Sequence, residues 1–476
     1  MKDAESVLVW FRLDLRLADH PALSAAVATG LPIVPVFIWS PEEEGAGSPG
    51  GASQWWLHRS LLRLDESLRA KGSRLVVRRG PTAEALLSLA AETNAGRVFR
   101  NRVYEPGALQ REAGLAERLQ YRGIAIESFN GSLLFEPGSI RTTTGGSFYV
   151  FTPFWRALWN ARGSLRGPIR APAEIRAPAR WPETLTIAEL GLEPKIDWAA
   201  GIRAAWTPGE DGARTRLRAF VKGAVSRYGD ERDRTDHEGT SRLSAHLHFG
   251  EISPLQVWHA AGGKPEAESY LRQLAWREFA CHLLVKRPES ITEPFNPKFR
   301  DFSWRSNPLW LKAWQRGRTG YPFVDAGMRE LWATGWMHNR ARLVVASFLV
   351  KHLLIPWQDG AAWFMDTLVD ADLANNTMGW QWVAGCGVDA APYFRIFNPI
   401  VQGEKFDPDG EYVRRWIPEL RGLASEWIHQ PWNAPPLVLA AAGVILGRTY
   451  PFPLVDHSEA RAAALSAFAT LRSGRG

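Results

Sequence analysis

The sequence predicts an N-terminal α/β domain, built on a doubly wound parallel sheet, joined to an all-α C-terminal domain. Three observations carry that expectation. Over the first quarter of the chain, short apolar runs alternate with amphipathic stretches, as strands and helices do when helices cover both faces of a parallel sheet. A stretch with little periodicity follows, holding Pro168, Pro172, Pro178, Pro182 and Pro194, and it reads as an extended connector. From about Gly201 helical patterns dominate to near the C-terminus. A chain of 476 residues is also too long for one ordinary core. The expected limits are 1–130, 131–200 for the connector, and 201–476.

In chain order, the runs Ser6–Trp10, Ile33–Trp39, Leu75–Arg78, Arg97–Arg100 and Ile124–Ser128 read as strands. Between them, Gln54–Ala70 has helical periodicity, and a helix opens at Thr82 with Glu84 in its first turn. Thr82 is the expected N-cap, since its hydroxyl can accept from a free backbone N–H. No GxGxxG follows the first strand, which argues against a Rossmann dinucleotide site there. The last helix is expected near Ala460–Arg472.

The bulk properties describe an ordinary globular chain, with 45% apolar and 22% charged residues. Lys and Arg total 57 against 50 acids, a net charge of +7, which fits either nucleic-acid binding or a solvated basic surface. The 23 tryptophans are the stronger anomaly, because indole stacks on flat ligands and can pass an electron, although packing alone uses several. Cys281 and Cys386 are the only cysteines, so neither a disulfide framework nor a thiolate metal site is expected. The start, MKDAESVLVW, lacks a signal-like apolar region, and runs such as Leu343–Val350 are far short of a bilayer span. A cytoplasmic enzyme is the expectation.

The most informative stretch lies between Gly320 and Pro399. Asn339, Arg340, Arg342, Asp370, Asp372 and Asn376 interrupt apolar helical sequence, and Trp357, Trp380 and Trp382 lie among them. Buried amides and charges are costly without partners, so this pattern predicts a polar ligand enclosed by helices and indoles. Upstream, Thr240-Ser241-Arg242-Leu243-Ser244 sits at a loop-to-helix junction. Hydroxyls, backbone N–H groups and Arg242 there suit an anionic group, while an ordinary N-cap would use the same residues. His246 and His248 are two apart and so do not share a helix face, which argues against a metal. Asn339, Arg342 and Leu343 do share one, and Arg340 points elsewhere.

The motifs YGDERD…EGTSRLS, LRQLAWREF, FSWRSNP, TGYPFVDAGMRELWATGWMHNRAR, VDADLANNTMGWQW and FRIFNPIVQGEKFDPDGEYVRRWIPEL resemble those of the photolyase/cryptochrome flavoproteins over essentially the full length. The C-terminal half resembles the bacterial class III cyclobutane pyrimidine dimer photolyases. That resemblance implies a helical domain holding FAD and an α/β domain carrying an antenna pigment. It implies FAD-binding roles for Tyr228, Thr240, Ser241, Arg242, Leu243, Ser244, Asn339, Arg342, Asp370, Asp372 and Asn376. Arg342 is expected to pair with Asp370, through the flavin site or as a structural salt bridge. It implies electron transfer through Trp380, Trp357 and Trp304. Arg232, Gln273, Trp276, Arg340, Trp382 and Gln402 match positions that meet DNA or the flipped lesion. The implied reaction is light-driven repair of cyclobutane dimers in UV-damaged DNA by a monomer that needs neither membrane nor metal.

Two positions depart from the dimer-repair pattern. Gln273 stands where dimer photolyases usually carry glutamate, and Leu343 where they often carry methionine. Glutamine can still donate to thymine carbonyls but cannot share a carboxyl proton, so lower efficiency is expected. Asn339 and Leu343 stand where six-four photolyases carry their histidine pair, and neither can act as an acid. A blue-light cryptochrome photoreceptor is the alternative reading, with a six-four photolyase behind it. The run NRVYEP, Asn101 to Pro106, follows a strand end. It is either a plain polar loop or, as the class III resemblance implies, the neighbourhood of a methenyltetrahydrofolate pigment.

Overall fold

The computed structural model describes residues 6–262 and 265–473. They divide into two compact units. One comprises the chain up to Ser226 with Ser241–Pro288 and Val369–Ala374; the other comprises Arg227–Thr240, Glu289–Leu368 and the residues from Asn375 onward.

The first unit is built on a five-stranded parallel sheet of order β3-β2-β1-β4-β5. Its strands are β1 Ser6–Phe11, β2 Ile33–Trp39, β3 Val76–Arg79, β4 Ala95–Asn101 and β5 Ala125–Phe129. All five expected strands are present, shifted by a residue or two at their ends. Strand β1 is central and buried throughout, which is why SVLVWF reads as a continuous rather than an alternating apolar run. Leu8 lies opposite Val34 on one side and Val98 on the other. One face packs Leu8, Val34, Val36 and Val98 against Leu86, Leu89 and Leu119; truncating fully buried Leu86 to Ala should cost about 2–5 kcal/mol. The exposed edge of β3 is covered by the proline-rich stretch. Leu185 N donates to the Val77 carbonyl at 3.1 Å, and Val77 N donates to Thr184 Oγ1 at 2.8 Å. An extended segment of this kind satisfies an edge that would otherwise invite pairing.

Two helix starts differ from expectation. The helix predicted from Gln54 begins at Gly51, because Gly50 takes the extended cap conformation and its small neighbours carry no periodicity. Thr82 is the first residue of its helix rather than its N-cap, which is Pro81. The cap comes from outside: Thr82 N and Oγ1 both donate to Glu43 Oε2, at 3.0 and 2.6 Å.

The second unit is helical. Its main elements are Pro322–Thr334, Asn339–Ser347 continuing into a π-helical turn Phe348–His352, Trp357–Thr367, most of Leu373–Ala384, Pro399–Phe406 and the last helix His457–Ser473. Some polar residues of the GYPFVDAGMRE run are structural. Buried Asp325 accepts from Thr319 N and Oγ1, each at 2.7 Å, and from Tyr450 Oη at 2.7 Å. Glu330 accepts from Tyr412 Oη at 2.6 Å and His338 N at 3.1 Å. These hydrogen bonds offset part of the cost of burying the two carboxyl groups; for Asp325 burial still wins, and its carboxyl is held above the ordinary value.

Candidate functional site

In the first unit, Ser241, Arg242 and Leu243 form the loop that leads into the short helix Ser244–His248. The loop is braced from two sides, by Trp206 and Tyr270, and by one bond of its own. Arg242 holds a left-handed backbone, φ 50°, and its guanidinium lies 4.5 Å from the centroid of Trp206. Ser241 Oγ accepts from Tyr270 Oη at 3.1 Å and from Leu243 N at 3.4 Å. A non-glycine residue in that region costs of order 1–3 kcal/mol and persists only where its surroundings hold it. His246 and His248 part company, as their spacing requires. His246 Nδ1 bonds buried Glu251, which also accepts from Trp56 Nε1 at 3.0 Å, whereas His248 Nδ1 faces Asp372 at 3.8 Å. Asp370 is buried, and Asp372 N donates back to its carbonyl at 2.7 Å.

Gln273 and Trp276 lie on the helix Glu268–Lys286, both half-buried. Trp276 stacks face to face on Phe151, with centroids 3.6 Å apart and planes within 8°. Nothing in the motif reading pointed to Phe151. The aromatic run Phe148 to Trp155 was the available signal.

The same unit has a pocket at the C-terminal ends of β1 and β2, lined by Trp10, Arg12, Phe37, Trp39, Glu44, Glu105 and Arg111. This is where open α/β sheets receive ligands, beside the point at which strand order reverses. Arg12 lies 4.3 Å from the Trp10 ring centroid. Buried Trp10 Nε1 has no acceptor among the described residues. Aromatic walls, N–H donors and carboxyl groups together suit a flat, amphoteric ring. Burial, with Asp372 and Glu44 nearby, pushes the Glu105 carboxyl up to about 8.

In the second unit, Tyr228 is buried at the head of the turn Tyr228–Glu231, and burial pushes its phenol up to about 12. Arg232 closes that turn by donating its N–H to the Tyr228 carbonyl, and Thr240 is half-buried farther on. His338 caps the helix Asn339–Ser347, its Nδ1 accepting from Arg340 N at 3.2 Å. Burial holds His338 down at about 4, so it is a neutral acceptor suited to that task. On this helix Asn339 is exposed and Leu343 half-buried. Arg342 Nε donates to the Met337 carbonyl at 2.8 Å. Arg340 Nη2 donates to Asp233 Oδ2 at 2.6 Å, with its guanidinium 4.3 Å from the Phe406 ring centroid.

Of the three electron-carrier candidates, Trp357 and Trp380 are almost fully buried and Trp304 is half-buried. Trp380 meets Phe364 edge-on at 5.0 Å and Trp314 at 6.2 Å, while Trp304 packs on Phe302 at 4.4 Å. Trp314 is a buried neighbour the motif reading did not name. Asn376, Trp380 and Trp382 all lie on the helix Leu373–Ala384, the first two a helical turn apart and so on one face. Asn376 Nδ2 donates to the Ala361 carbonyl at 3.0 Å, which uses one of its two amide N–H donors.

These residues fit a flavin nucleotide. Trp380 Nε1 and Gln402 Oε1 are buried without protein partners among the described residues.

Residues 7–174 match the family described as DNA photolyase, and residues 270–470 match the FAD binding domain of DNA photolyase. The chain is 49% identical to the deoxyribodipyrimidine photo-lyase of Agrobacterium fabrum, over 98% of each protein. It is 40% identical to Cryptochrome-1 of Arabidopsis thaliana, over 96% of this chain and 69% of that protein. Its structure is similar to a bacterial class III photolyase from Agrobacterium tumefaciens, with a TM-score of 0.95 and 48% identity over 99% and 98% of the two chains. A Synechocystis cryptochrome matches with a TM-score of 0.89 and 30% identity over 98% and 100%.

Proposed function

The chain belongs to the photolyase/cryptochrome family, and from that premise we propose that it repairs UV-damaged DNA in light, as a deoxyribodipyrimidine photo-lyase acting on cyclobutane pyrimidine dimers. The observation that carries the reading is the single helix Leu373–Ala384, on which Asn376, Trp380 and Trp382 stand together. Flavin contact, electron supply and lesion contact are thereby assigned to one rigid element, which favours precise positioning.

When bound, reduced FAD would supply the light-driven, returnable electron that splitting the dimer's two ring bonds requires. The protein's own residues prepare that event. The Thr240–Ser244 loop and Arg242 bind the anionic part of the nucleotide. Asp370 and Asp372 accept from the imide side, and Asn376 holds the proton-bearing ring nitrogen. Trp380, Trp357 and Trp304 relay electrons inward from the surface. Trp276 and Trp382 take the extruded lesion against their rings, replacing lost base stacking at about 1–3 kcal/mol per base. Arg232, Arg340 and Gln402 bind the surrounding DNA, and Gln273 donates to the thymine carbonyls. Leu343 and Asn339 leave the site without the acid that six-four chemistry needs, which favours the cyclobutane dimer as substrate.

The pocket at the sheet's C-terminal edge is assigned to the antenna, with 5,10-methenyltetrahydrofolate as its pigment. Its amphoteric pterin matches the Arg12, Arg111, Glu44 and Glu105 lining. A monomer acting in the cytoplasm suffices for this function. The reading is tested by illuminating reduced protein with a dimer-containing oligonucleotide: pyrimidine absorbance should return in blue light and not in darkness. Equal behaviour in both would remove it.

A further inference from the structure

Ser347 leads directly into the π-helical turn Phe348–His352, and single π turns recur at functional sites. This one buries two titratable side chains, Lys351 at 1% and His352 at 2% exposure. A buried ammonium is an expensive filler, since methionine would occupy the same room without the desolvation cost. What it achieves is specific. Lys351 Nζ donates to the Arg395 carbonyl at 3.0 Å and lies 5.2 Å from the Tyr393 ring centroid.

Both contacts belong to the segment Asp389–Phe397, which has no helix or strand of its own. The segment is tied at other points. Ala391 N donates to the carbonyl of Trp382 at 3.2 Å, Phe397 N donates to Ser347 Oγ at 3.4 Å, and the Tyr393 ring stacks on Phe468 of the last helix at 4.3 Å and 11°. Phe394 and Arg395 themselves point outward and are exposed. A loop whose backbone is clamped while its tip is solvated presents that tip in a fixed pose.

We propose that Lys351 is a positioning residue for lesion binding: by holding the Arg395 carbonyl it fixes the Asp389–Phe397 arm to the π turn, beside Trp382. The inference rests on the reading of Trp382 as a lesion contact. It also makes lesion binding sensitive to protons. Burial, with the Arg395 guanidinium adding repulsion, pulls the Lys351 ammonium down to about 7. The neighbouring histidines and phenol are shifted away from that range. His352 is held at about 3 by burial and by His457, to which its Nε2 is bonded at 2.8 Å; His457 is lowered by burial; and the Tyr393 phenol is raised by burial. Phosphates arriving at Arg395 would offset the like charge, so binding takes up a proton at Lys351 and weakens as pH rises through neutrality.

The test measures, in the dark, the affinity of the flavin-loaded protein for a dimer-containing duplex and for its undamaged counterpart, below and above neutral pH. Lys351→Met should keep flavin photoreduction, bind the dimer duplex about tenfold more weakly below neutrality, and lose the pH dependence. Lys351→Gln keeps an N–H donor for the Arg395 carbonyl without the charge. It should match the wild type above neutrality and lack the strengthening below it, and it decides the matter if the methionine variant does not fold. Wild-type affinity and pH slope in both variants would overturn the proposal. A wild type that does not prefer the dimer duplex would instead remove the repair reading, and this inference with it.

Discussion

The Trp380 indole fills the space that a side chain at Gly360 would need: a β-carbon there would stand 2.1 Å from Cη2 and 2.4 Å from Cζ3. Gly360 lies in the helix Trp357–Thr367, so this close approach locks the indole between that helix and its own.

Gly360→Ala therefore sets two effects against each other. Replacing a helical glycine gains up to about 1 kcal/mol of propensity, while overpacking a buried contact costs about 1–3 kcal/mol. The clash should win, because the nearest atoms belong to a buried ring rather than a flexible chain end. A lowered Tm and slowed flavin photoreduction are expected. Trp380→Phe provides the comparison: photoreduction abolished or greatly slowed, with FAD still bound. Unchanged photoreduction in the phenylalanine variant would remove Trp380 from the electron route.

Arg340 and Asp233 form a pair at 2.6 Å, so the arginine's charge is partly spent before any DNA arrives. Arg340→Ala should weaken binding to damaged and undamaged duplex alike and reduce the salt slope by about 1. Asp233→Asn should do the reverse, strengthening binding at low salt by removing a competing anion. Salt titrations of both variants check the pair; a slope unmoved in either would place Arg340 outside the DNA face.

Glu105 makes the molecule's stability depend on pH. Its carboxyl is pushed up to about 8 by burial and by Asp372 and Glu44, so between its ordinary value and about 8 the folded chain holds a proton that the unfolded chain has released. Stability is then fully present below the ordinary carboxyl pKa and falls as pH rises toward 8, at up to about 1.4 kcal/mol per pH unit. Glu105→Gln should flatten this slope in denaturant titrations and be the more stable protein at the alkaline end.

Much of this was legible because it is local. A central strand such as Ser6–Phe11 is buried on both faces and announces itself as an unbroken apolar run, and the family motifs carry the site residues in order. What escaped depends on partners far along the chain. Thr82 looked like its own cap because Glu43, 39 residues away, left no trace beside it. Asp233 is 107 residues from Arg340, and Phe151 is 125 residues from Trp276, so neither pairing has a spacing to read. Lys351 follows directly on an apolar run, where nothing distinguishes a buried clamp from a surface lysine.

The central claim, that the helical unit delivers an electron to a cyclobutane dimer, is tested most directly by giving the illuminated, reduced protein two oligonucleotides at once, one with a thymine dimer and one with a six-four lesion. Restoration of the thymine dimer alone is predicted. Repair of the six-four lesion instead would contradict the choice of substrate, and repair of neither would leave a photoreceptor.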